Sequence, residues 1–345
     1  MGEGSPARTR HPMIDSLESR SAEKVRAAFR RGGYRAALEE FYFIRDKDAR
    51  VHLIKLNWAQ IDLIRELEQQ MRETGRVRII VLKARQLGFS TLIEGIEVIN
   101  KFLVANNFAL VLSHEGASAK YLYNMGRRAL CEKWPLGNIK LKRDRLDGMV
   151  LGPPINSTTE VATAKNAGSG RSRTIQFLHA SECAFYENAS TLMLGMMQSV
   201  PDRGSFVFME TTANGIGNWF HQQWELAESG QSSYIPLFYP WHKHPEYQFG
   251  FSSPEARGKF AETYSVDERE LVRQHGLTPE QIKWRRMTII DKCEGDVILF
   301  RQEYPMTADE AFIVSGRPVF DPENMTKILN RTRATEPLGK GYLRV

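Results

Sequence analysis

Hydrophobic positions recur along the chain with two different periods, and their order predicts the fold. Residues 57–73 place Ile61, Ile64, Leu67 and Met71 on one face, the spacing of an amphipathic helix. Downstream, short apolar runs alternate with helix-length segments. The predicted strands are 77–82, 107–113, 174–179, 205–211 and 234–239, and the predicted helices are 91–104, 116–133, 189–198 and 216–229. Strands separated by helices indicate an α/β fold with a mostly parallel sheet and helices on both faces.

The segments that flank this alternation have a different character. Near the N-terminus, residues 15–31 and 34–42 have helical spacing and are separated by Gly32 and Gly33. Residues 138–173 carry only short alternating runs and turn residues, and beyond Trp241 the pattern becomes helical and charged. The predicted organisation is a helical lead (1–50), a core (51–250), a helical subdomain (251–314) and a linker rich in Gly, Pro and Arg (315–345).

The loops that follow Leu82, His179 and Glu210 are the candidate site, because ligands of such sheets bind at the carboxyl ends of the strands. The first loop lies in VLKARQLGFST, residues 81–91. It has the strand–turn–helix layout of a phosphate-binding loop, in which backbone N–H groups and the helix dipole hold phosphate oxygens. Yet the Walker A pattern G-x-x-x-x-G-K-[ST] is absent, since Phe89 stands where the lysine belongs.

The missing lysine leaves three interpretations of this stretch. It is a damaged phosphate loop, an unrelated turn with a basic edge, or a loop whose cation has moved to Lys83 or Arg85. In the last case, Ser90 or Thr91 would supply the hydroxyl that binds Mg²⁺.

The second loop closes the strand in RTIQFLHASECAF, where Glu182 is the acid. In nucleotide hydrolases, an apolar strand beside the phosphate-loop strand ends in acidic residues that hold Mg²⁺ and activate water. Ser181 stands at the position where an aspartate is usual. A helix cap or a surface carboxylate is the plainer interpretation of Glu182.

The third loop lies in SFVFMETTANGIGNWF, where an apolar strand leads into Thr211, Thr212 and Asn214. Hydroxyl and amide side chains at this position can contact the γ-phosphate or hold the attacking water. An Asn-Gly turn between strand and helix explains the same residues without any chemistry.

Composition says more about the kind of partner the protein binds than about its fold. The net charge of +6 and the pI of about 9.1 suit a polyanionic partner, although many enzymes without such a partner are equally basic. The three cysteines include no C-x-x-C pair, which gives no indication of a zinc site or a disulfide scaffold and fits a reducing compartment. No apolar stretch is long enough to predict a membrane span.

Three motifs in one order, KARQLGFST, LHASECAFYEN and METTANG, resemble the ATPase domain of tailed-bacteriophage terminase large subunits, the DNA-packaging motors. The segment RQEYPMTADEAF is similar to the one that follows the ATPase core in that family, so the resemblance covers roughly residues 50–320. It implies a P-loop NTPase core of the ASCE type that hydrolyses ATP with Mg²⁺.

The resemblance also implies roles for individual residues. In the family, the loop cation often lies early, within an R-Q-x-G pattern, so Arg85 is expected to bind phosphate and Lys83 is the alternative. Glu182 is expected to activate water, and Ser90 and Glu182 to hold Mg²⁺, although Ser181 departs from the family's usual aspartate. The other expected nucleotide contacts are Gln60, which would read adenine unless it is simply an exposed helix residue, and Gln86, Gly88, Thr91, Thr212 and Asn214.

The basic turn AGSGRSRT, just before the glutamate strand, is a candidate arginine finger. In a ring motor, one subunit's arginine can reach the γ-phosphate of its neighbour, and Arg171 is preferred over Arg173 because it lies nearer the glycines. A solvated basic turn or a phosphate contact to DNA is the plainer role.

The partners implied by the resemblance are double-stranded DNA, a terminase small subunit, a portal protein and further copies of the chain in a ring on the capsid. The free protein is expected to be a monomer in the host cytoplasm, away from any membrane. The family usually continues into an RNase H-like nuclease with a cluster of metal-binding aspartates. Nothing after Val345 supplies that cluster, so the chain is expected to be an isolated ATPase domain that does not cut DNA. Two alternatives stay open: a helicase-like or repair ATPase, and a non-catalytic scaffold that binds nucleic acid.

Overall fold

The computed structural model describes residues 16–145, 147–165, 173–314, 328 and 331–332. Its helices are α1 (Leu17–Phe41), α2 (Trp58–Thr74), α3 (Phe89–Leu103), α4 (Gly116–Cys131), α5 (Ala189–Met197), α6 (Trp219–Glu228), α7 (Pro254–Glu262), α8 (Val266–His275), α9 (Pro279–Lys292), α10 (Val297–Glu303) and α11 (Ala308–Val314). Its strands are β1 (Phe43–Arg45), β2 (Val51–Leu53), β3 (Val77–Lys83), β4 (Phe108–Ser113), β5 (Leu141–Arg145), β6 (Gly148–Leu151), β7 (Thr158–Thr163), β8 (Phe177–Ser181), β9 (Phe206–Thr211) and β10 (Ile235–Tyr239).

The main sheet confirms the predicted α/β class. Within the described residues it has eight strands in the order β10-β3-β9-β8-β4-β7-β6-β5, while β1 and β2 form a separate antiparallel pair. Strands β7, β4, β8 and β9 pair in parallel. The loosely patterned region 138–173 supplies β5, β6 and β7, and the antiparallel pairing of β6 with both neighbours makes the sheet mixed.

One expectation about this sheet is wrong. The pattern of nucleotide hydrolases predicts that the strand leading to Glu182 lies beside the phosphate-loop strand. In the structure β9 lies between β3 and β8, and the backbone N–H of Val77 donates to the carbonyl of Ser205 just before β9. The apolar pattern shows that a segment is a buried strand, but it does not fix which strand pairs with which.

Local sequence explains where the elements begin and bend. Strand β3 is buried at all seven positions, and each fully buried Val, Leu or Ile contributes about 1.5–3 kcal/mol. The predicted break is present in α1, because two helical segments meet at a kink where the backbone of Gly32 and Gly33 is non-helical. Gly33 has φ of 64°, and a Cβ there would collide with the carboxylate of Glu68, which accepts a hydrogen bond from the Tyr34 N–H. Glycine is therefore required at this bend.

The described residues form two compact units. The first comprises the described parts of Met1–Ile80, Gly88–Glu210 and Ser233–Ile235, and its interior includes Trp134 stacked on Phe41 and Phe102. The second comprises the described parts of Val81–Leu87, Thr211–Ser232 and Pro236–Val345. Its core contains an aromatic cluster in which Trp284 stacks on Trp241 and Tyr247 at centroid distances of 5.0 and 4.5 Å.

Candidate active site

A tight turn at Gly88 connects β3 to α3. Gly88 is the N-cap residue and adopts a left-handed conformation with φ of 78°. Another residue would be strained at this φ, and its Cβ would also lie only 2.8 Å from Nε2 of Gln60, so the turn favours glycine. Phe89, at the position where the lysine is missing, is 1% exposed and packs in the interior. A lysine at this position would have to bury its charge, which is costly without a partner.

Gln60 holds this turn from the neighbouring helix α2. Its Nε2 donates to the carbonyl of Gly88 at 2.8 Å, and its Oε1 accepts from the backbone N–H of Asn57 at 3.0 Å as part of a capping box. Gln60 is 5% exposed, so it is not the exposed helix residue of the plainer interpretation. Its visible role is to position the loop, and the adenine contact stays a prediction.

Ser90, in the first turn of α3, forms a hydrogen bond with the carboxylate of Glu210 at the end of β9. The Ser90 hydroxyl donates to Oε1 of Glu210 at 2.7 Å, and the Ser181 hydroxyl donates to the same oxygen at 2.8 Å. Strands β8 and β9 are parallel and in register, with Ser181 directly opposite Glu210. Glu210 is fully buried, and these hydroxyls compensate part of the cost of burying its charge.

A buried histidine completes this cluster. Nδ1 of His179 lies 2.7 Å from Oε1 of Glu94, and Nε2 lies 3.4 Å from Oε1 of Glu210, the latter an ion pair rather than an aligned hydrogen bond. Burial alone would lower the pKa of His179, but the two carboxylates outweigh it and raise the pKa from 6.5 to about 9. The raised pKa favours the imidazolium form of His179 between the two carboxyl groups.

Glu182, the predicted catalytic acid, follows Ser181 in a strained backbone conformation. Its φ of 55° and ψ of 40° lie in the left-handed region, which costs a non-glycine residue roughly 1–2 kcal/mol. Its backbone N–H donates to the carbonyl of Glu210 at 2.7 Å, and a single 3₁₀ turn, Cys183–Phe185, follows. Its exposure is intermediate, whereas Glu210 is fully buried. Strain of this kind is concentrated at functional sites.

The first part of the loop, with its two cations Lys83 and Arg85, belongs to the second unit. The Arg85 guanidinium makes two contacts with the carboxylate of Glu303 in α10, one of them between Nη2 and Oε1 at 3.2 Å. The Arg85 N–H donates to the Glu303 carbonyl at 3.1 Å, and the Tyr247 hydroxyl donates to the Arg85 carbonyl. Half of the Arg85 side chain is exposed, whereas Lys83 at the end of β3 is buried. Arg85 is therefore the more accessible of the two predicted cations.

The remaining predicted residues differ in their exposure and in their contacts. Gln86 is exposed with φ of 59°, and the Thr91 hydroxyl lies 3.8 Å from the sulfur of Met125. Thr212, in the second unit, is 2% exposed, and its hydroxyl has no hydrogen-bond partner among the described residues. In the same unit, the carbonyl of Asn214 accepts from Nδ2 of Asn218 at 2.8 Å. Arg171, the preferred finger, lies outside the described residues.

Arg173, the second candidate for the finger, contacts the carboxylate of Glu160 at 2.5 Å in the first unit. Its guanidinium also lies over the ring of Phe108, 5.2 Å from the centroid. The side chain is 48% exposed. A role in a neighbouring subunit stays a prediction.

Sequence reasoning missed Glu210, Glu94 and the network that joins them through His179. A pattern that could have found Glu210 is visible in FVFMET, because an acid within an apolar strand needs a partner. Glu94 offers no such clue, since an acid near the start of a helix is ordinary. Within the described residues, no group of three or more His, Cys, Asp or Glu side chains surrounds a common metal position.

The sequence matches no protein-family model and no curated protein. Among solved structures, the fold is similar to the large terminase ATPase domain of Thermus phage P74-26, with 15% identity over 72% of this chain and 92% of that chain and a TM-score of 0.45. It is also similar to the large terminase of the HK97 bacteriophage (14% identity, 74% of this chain, 51% of that chain, TM-score 0.48). A third similar structure is the large terminase of a thermophilic bacteriophage (9% identity, 61% of this chain, 51% of that chain, TM-score 0.45).

The matches to the second and third of these terminases therefore span about half the length of those proteins. At such identities the likeness concerns the fold alone. None of the helices within the described ranges combines the length and hydropathy that a membrane crossing requires.

Proposed function

We propose that the chain is the ATPase domain of a viral DNA-packaging motor, which hydrolyses ATP with Mg²⁺ to move double-stranded DNA. The observation that carries this proposal is the strand–turn–helix at Gly88, in which Ser90 is hydrogen-bonded to a strand-end carboxylate. A second carboxylate, Glu182, ends the next strand of the same sheet. A loop hydroxyl beside strand-end carboxylates is the arrangement that nucleotide hydrolases use.

Each part of this site has a defined task in the proposed reaction. The N-terminal N–H groups of α3 and the Arg85 guanidinium would bind the phosphates of ATP. Glu182 would accept a proton from the attacking water as it adds to the γ-phosphorus, and ADP would leave with the bonding electron pair. Thr212 and Asn214 are the proposed γ-phosphate contacts.

The residues around Ser90 suit the expected metal. Ser90, Ser181 and Glu210 offer only oxygen atoms, the ligands that Mg²⁺ prefers, and Mg²⁺ needs only one or two protein ligands beside phosphate and water. When bound with nucleotide, Mg²⁺ neutralises charge on the β- and γ-phosphates.

The DNA substrate and the larger assembly rest on the motif resemblance and on charge. A net charge of +6 favours a polyanion, and in the proposed motor the chain would assemble as a ring with a portal protein and a small subunit. Arg171 or Arg173 would then act on the neighbouring subunit's nucleotide.

Measuring ATP turnover with and without double-stranded DNA tests the function. We expect Arg85→Ala to lower turnover by about 10–150-fold, the loss of a charge-assisted interaction of roughly 1.5–3 kcal/mol. Lys83→Ala tests the alternative cation in the same assay.

Arg257→Ala is the matched control. Arg257 lies in the same unit, pairs with Glu280, and has the same side-chain exposure as Arg85, 49%. Equal turnover in the Arg85 and Arg257 variants would exclude Arg85 as the loop cation. A wild-type protein that binds DNA without any turnover would instead support a non-catalytic scaffold, and DNA strand separation would support a helicase-like ATPase.

A further inference from the structure

The position where nucleotide hydrolases carry the Mg²⁺-binding aspartate is occupied here by Ser181, which cannot supply a charge. Yet the site at Ser90 does not lack a carboxylate. The Ser90 hydroxyl donates to Oε1 of Glu210 at 2.7 Å, and Glu210 comes from β9, one strand nearer the phosphate-loop strand.

The register of the sheet places the two positions at the same level. Ser181 and Glu210 are opposite each other in the parallel pair of β8 and β9, and the Ser181 hydroxyl donates to Oε1 of Glu210 at 2.8 Å. A glutamate is one methylene longer than an aspartate, so a side chain on β9 can reach the space in front of Ser90. The serine in turn fills the vacated place and fixes the orientation of the carboxylate.

Glu210 is buried, and polar side chains fix its carboxylate. Glu210 is 0% exposed, and an isolated buried carboxylate costs several kcal/mol unless it is paired. Removing it in favour of an apolar residue would be the simpler way to fill the core. The chain instead surrounds Glu210 with Ser90, Ser181 and His179.

We propose that Glu210 replaces the missing aspartate and, with Ser90, holds the Mg²⁺ of the bound nucleotide, while Glu182 is left to act on water. This inference rests on the proposed ATPase function. It assigns the metal and the proton to two different strands, and it differs from the expectation that Glu182 serves both.

The test measures the metal dependence of nucleotide binding rather than turnover. Calorimetric titration with ATP-γ-S is carried out in Mg²⁺ and again in EDTA, and Mn²⁺ binding in the presence of ADP is followed by electron paramagnetic resonance. We expect Glu210→Gln to lose at least about 10–100-fold in metal affinity, the range for losing a residue that only supports a metal ligand. Nucleotide binding in EDTA should be unchanged.

Glu97→Gln is the matched control, because Glu97 is also a buried carboxylate, and its partners are Lys101 and Thr159 rather than Ser90. It should retain the metal dependence. A second variant, Ser181→Asp with Glu210→Gln, returns the carboxylate to β8 and should regain metal affinity. This double variant also carries the test if Glu210→Gln alone does not fold.

Two outcomes overturn the inference, and they are distinguishable. If wild-type protein binds nucleotide with a metal dependence that Glu210→Gln keeps and Glu182→Gln loses, the metal belongs to Glu182 and the ATPase function stands. If wild-type protein binds no nucleotide in either buffer, the proposed function itself fails and the metal site fails with it.

Discussion

Glu182 and Glu210 end neighbouring parallel strands of one sheet, yet the structure treats them in opposite ways. Glu210 is fully buried and fixed by Ser90 and Ser181, on a regular strand backbone. Glu182 is partly accessible and lies on a strained, left-handed backbone just beyond its strand. Glu210 is thus a fixed and buried carboxylate, whereas Glu182 is a residue that solvent can partly reach.

That difference fits two separate tasks. A metal ligand gains from rigid support, because misplacement weakens coordination. A group that takes a proton from water must instead reach a space where water and phosphate can enter. Because Ser181 lies opposite Glu210 in the parallel pair, the two glutamates lie at the same end of the sheet while their environments differ.

The largest expected effect is the loss of ATP turnover when Glu182 is changed. Glu182→Gln keeps the size of the side chain but removes its basicity, so turnover should fall by about 10²–10⁴-fold while nucleotide binding is retained. Glu187→Gln, an exposed acid five residues on, is the control and should leave turnover unchanged. Weaker nucleotide binding with normal turnover at saturation would mark Glu182 as structural.

The second prediction concerns folding stability, for which Glu210 is expected to matter more than Glu182. Glu210→Ala removes a buried charged partner and should lower the free energy of unfolding by about 3–5 kcal/mol. Glu182→Ala should change it by less than about 0.5 kcal/mol, as is usual for accessible side chains. Urea denaturation followed by circular dichroism measures both, and similar losses in the two variants would remove the contrast.

The third prediction uses the histidine beside Glu210. Because folding raises the pKa of His179 from 6.5 to about 9, its stabilisation is fully present below pH 6.5 and is lost as the pH rises toward 9. The expected loss over this interval is about 3 kcal/mol in the wild-type protein. Denaturation in EDTA at several pH values, compared with His179→Gln, isolates this contribution. Parallel curves for the two proteins would show that His179 is not charged in the folded state.

The smallest expected effect concerns the backbone of Glu182. Replacing it with glycine relieves the left-handed strain, although glycine also loses more entropy on folding. We therefore expect a gain of about 0.5–1 kcal/mol in stability together with the loss of turnover. A destabilised Glu182→Gly protein would indicate that the side chain, and not the strain, decides the local conformation.

Local features were the ones that the sequence could predict well. The break at Gly32 and Gly33, the strand 77–82 and the turn at Gly88 depend on glycine backbones and apolar runs, which act within a few residues. The weak alternation in 138–173 hid three strands. Edge strand β5 has no buried position and β7 has only two, so they give little hydrophobic pattern.

The sequence by itself determined the α/β class, the loop at Gly88 and the presence of Glu182 at a strand end. Only the tertiary structure decided that β9 separates β3 from β8 and that Glu210, not Glu182, meets Ser90. The reason is that apolar periodicity records which face of an element is buried, whereas strand order and register arise from pairing between distant segments. The partner of a buried carboxylate is set by that pairing.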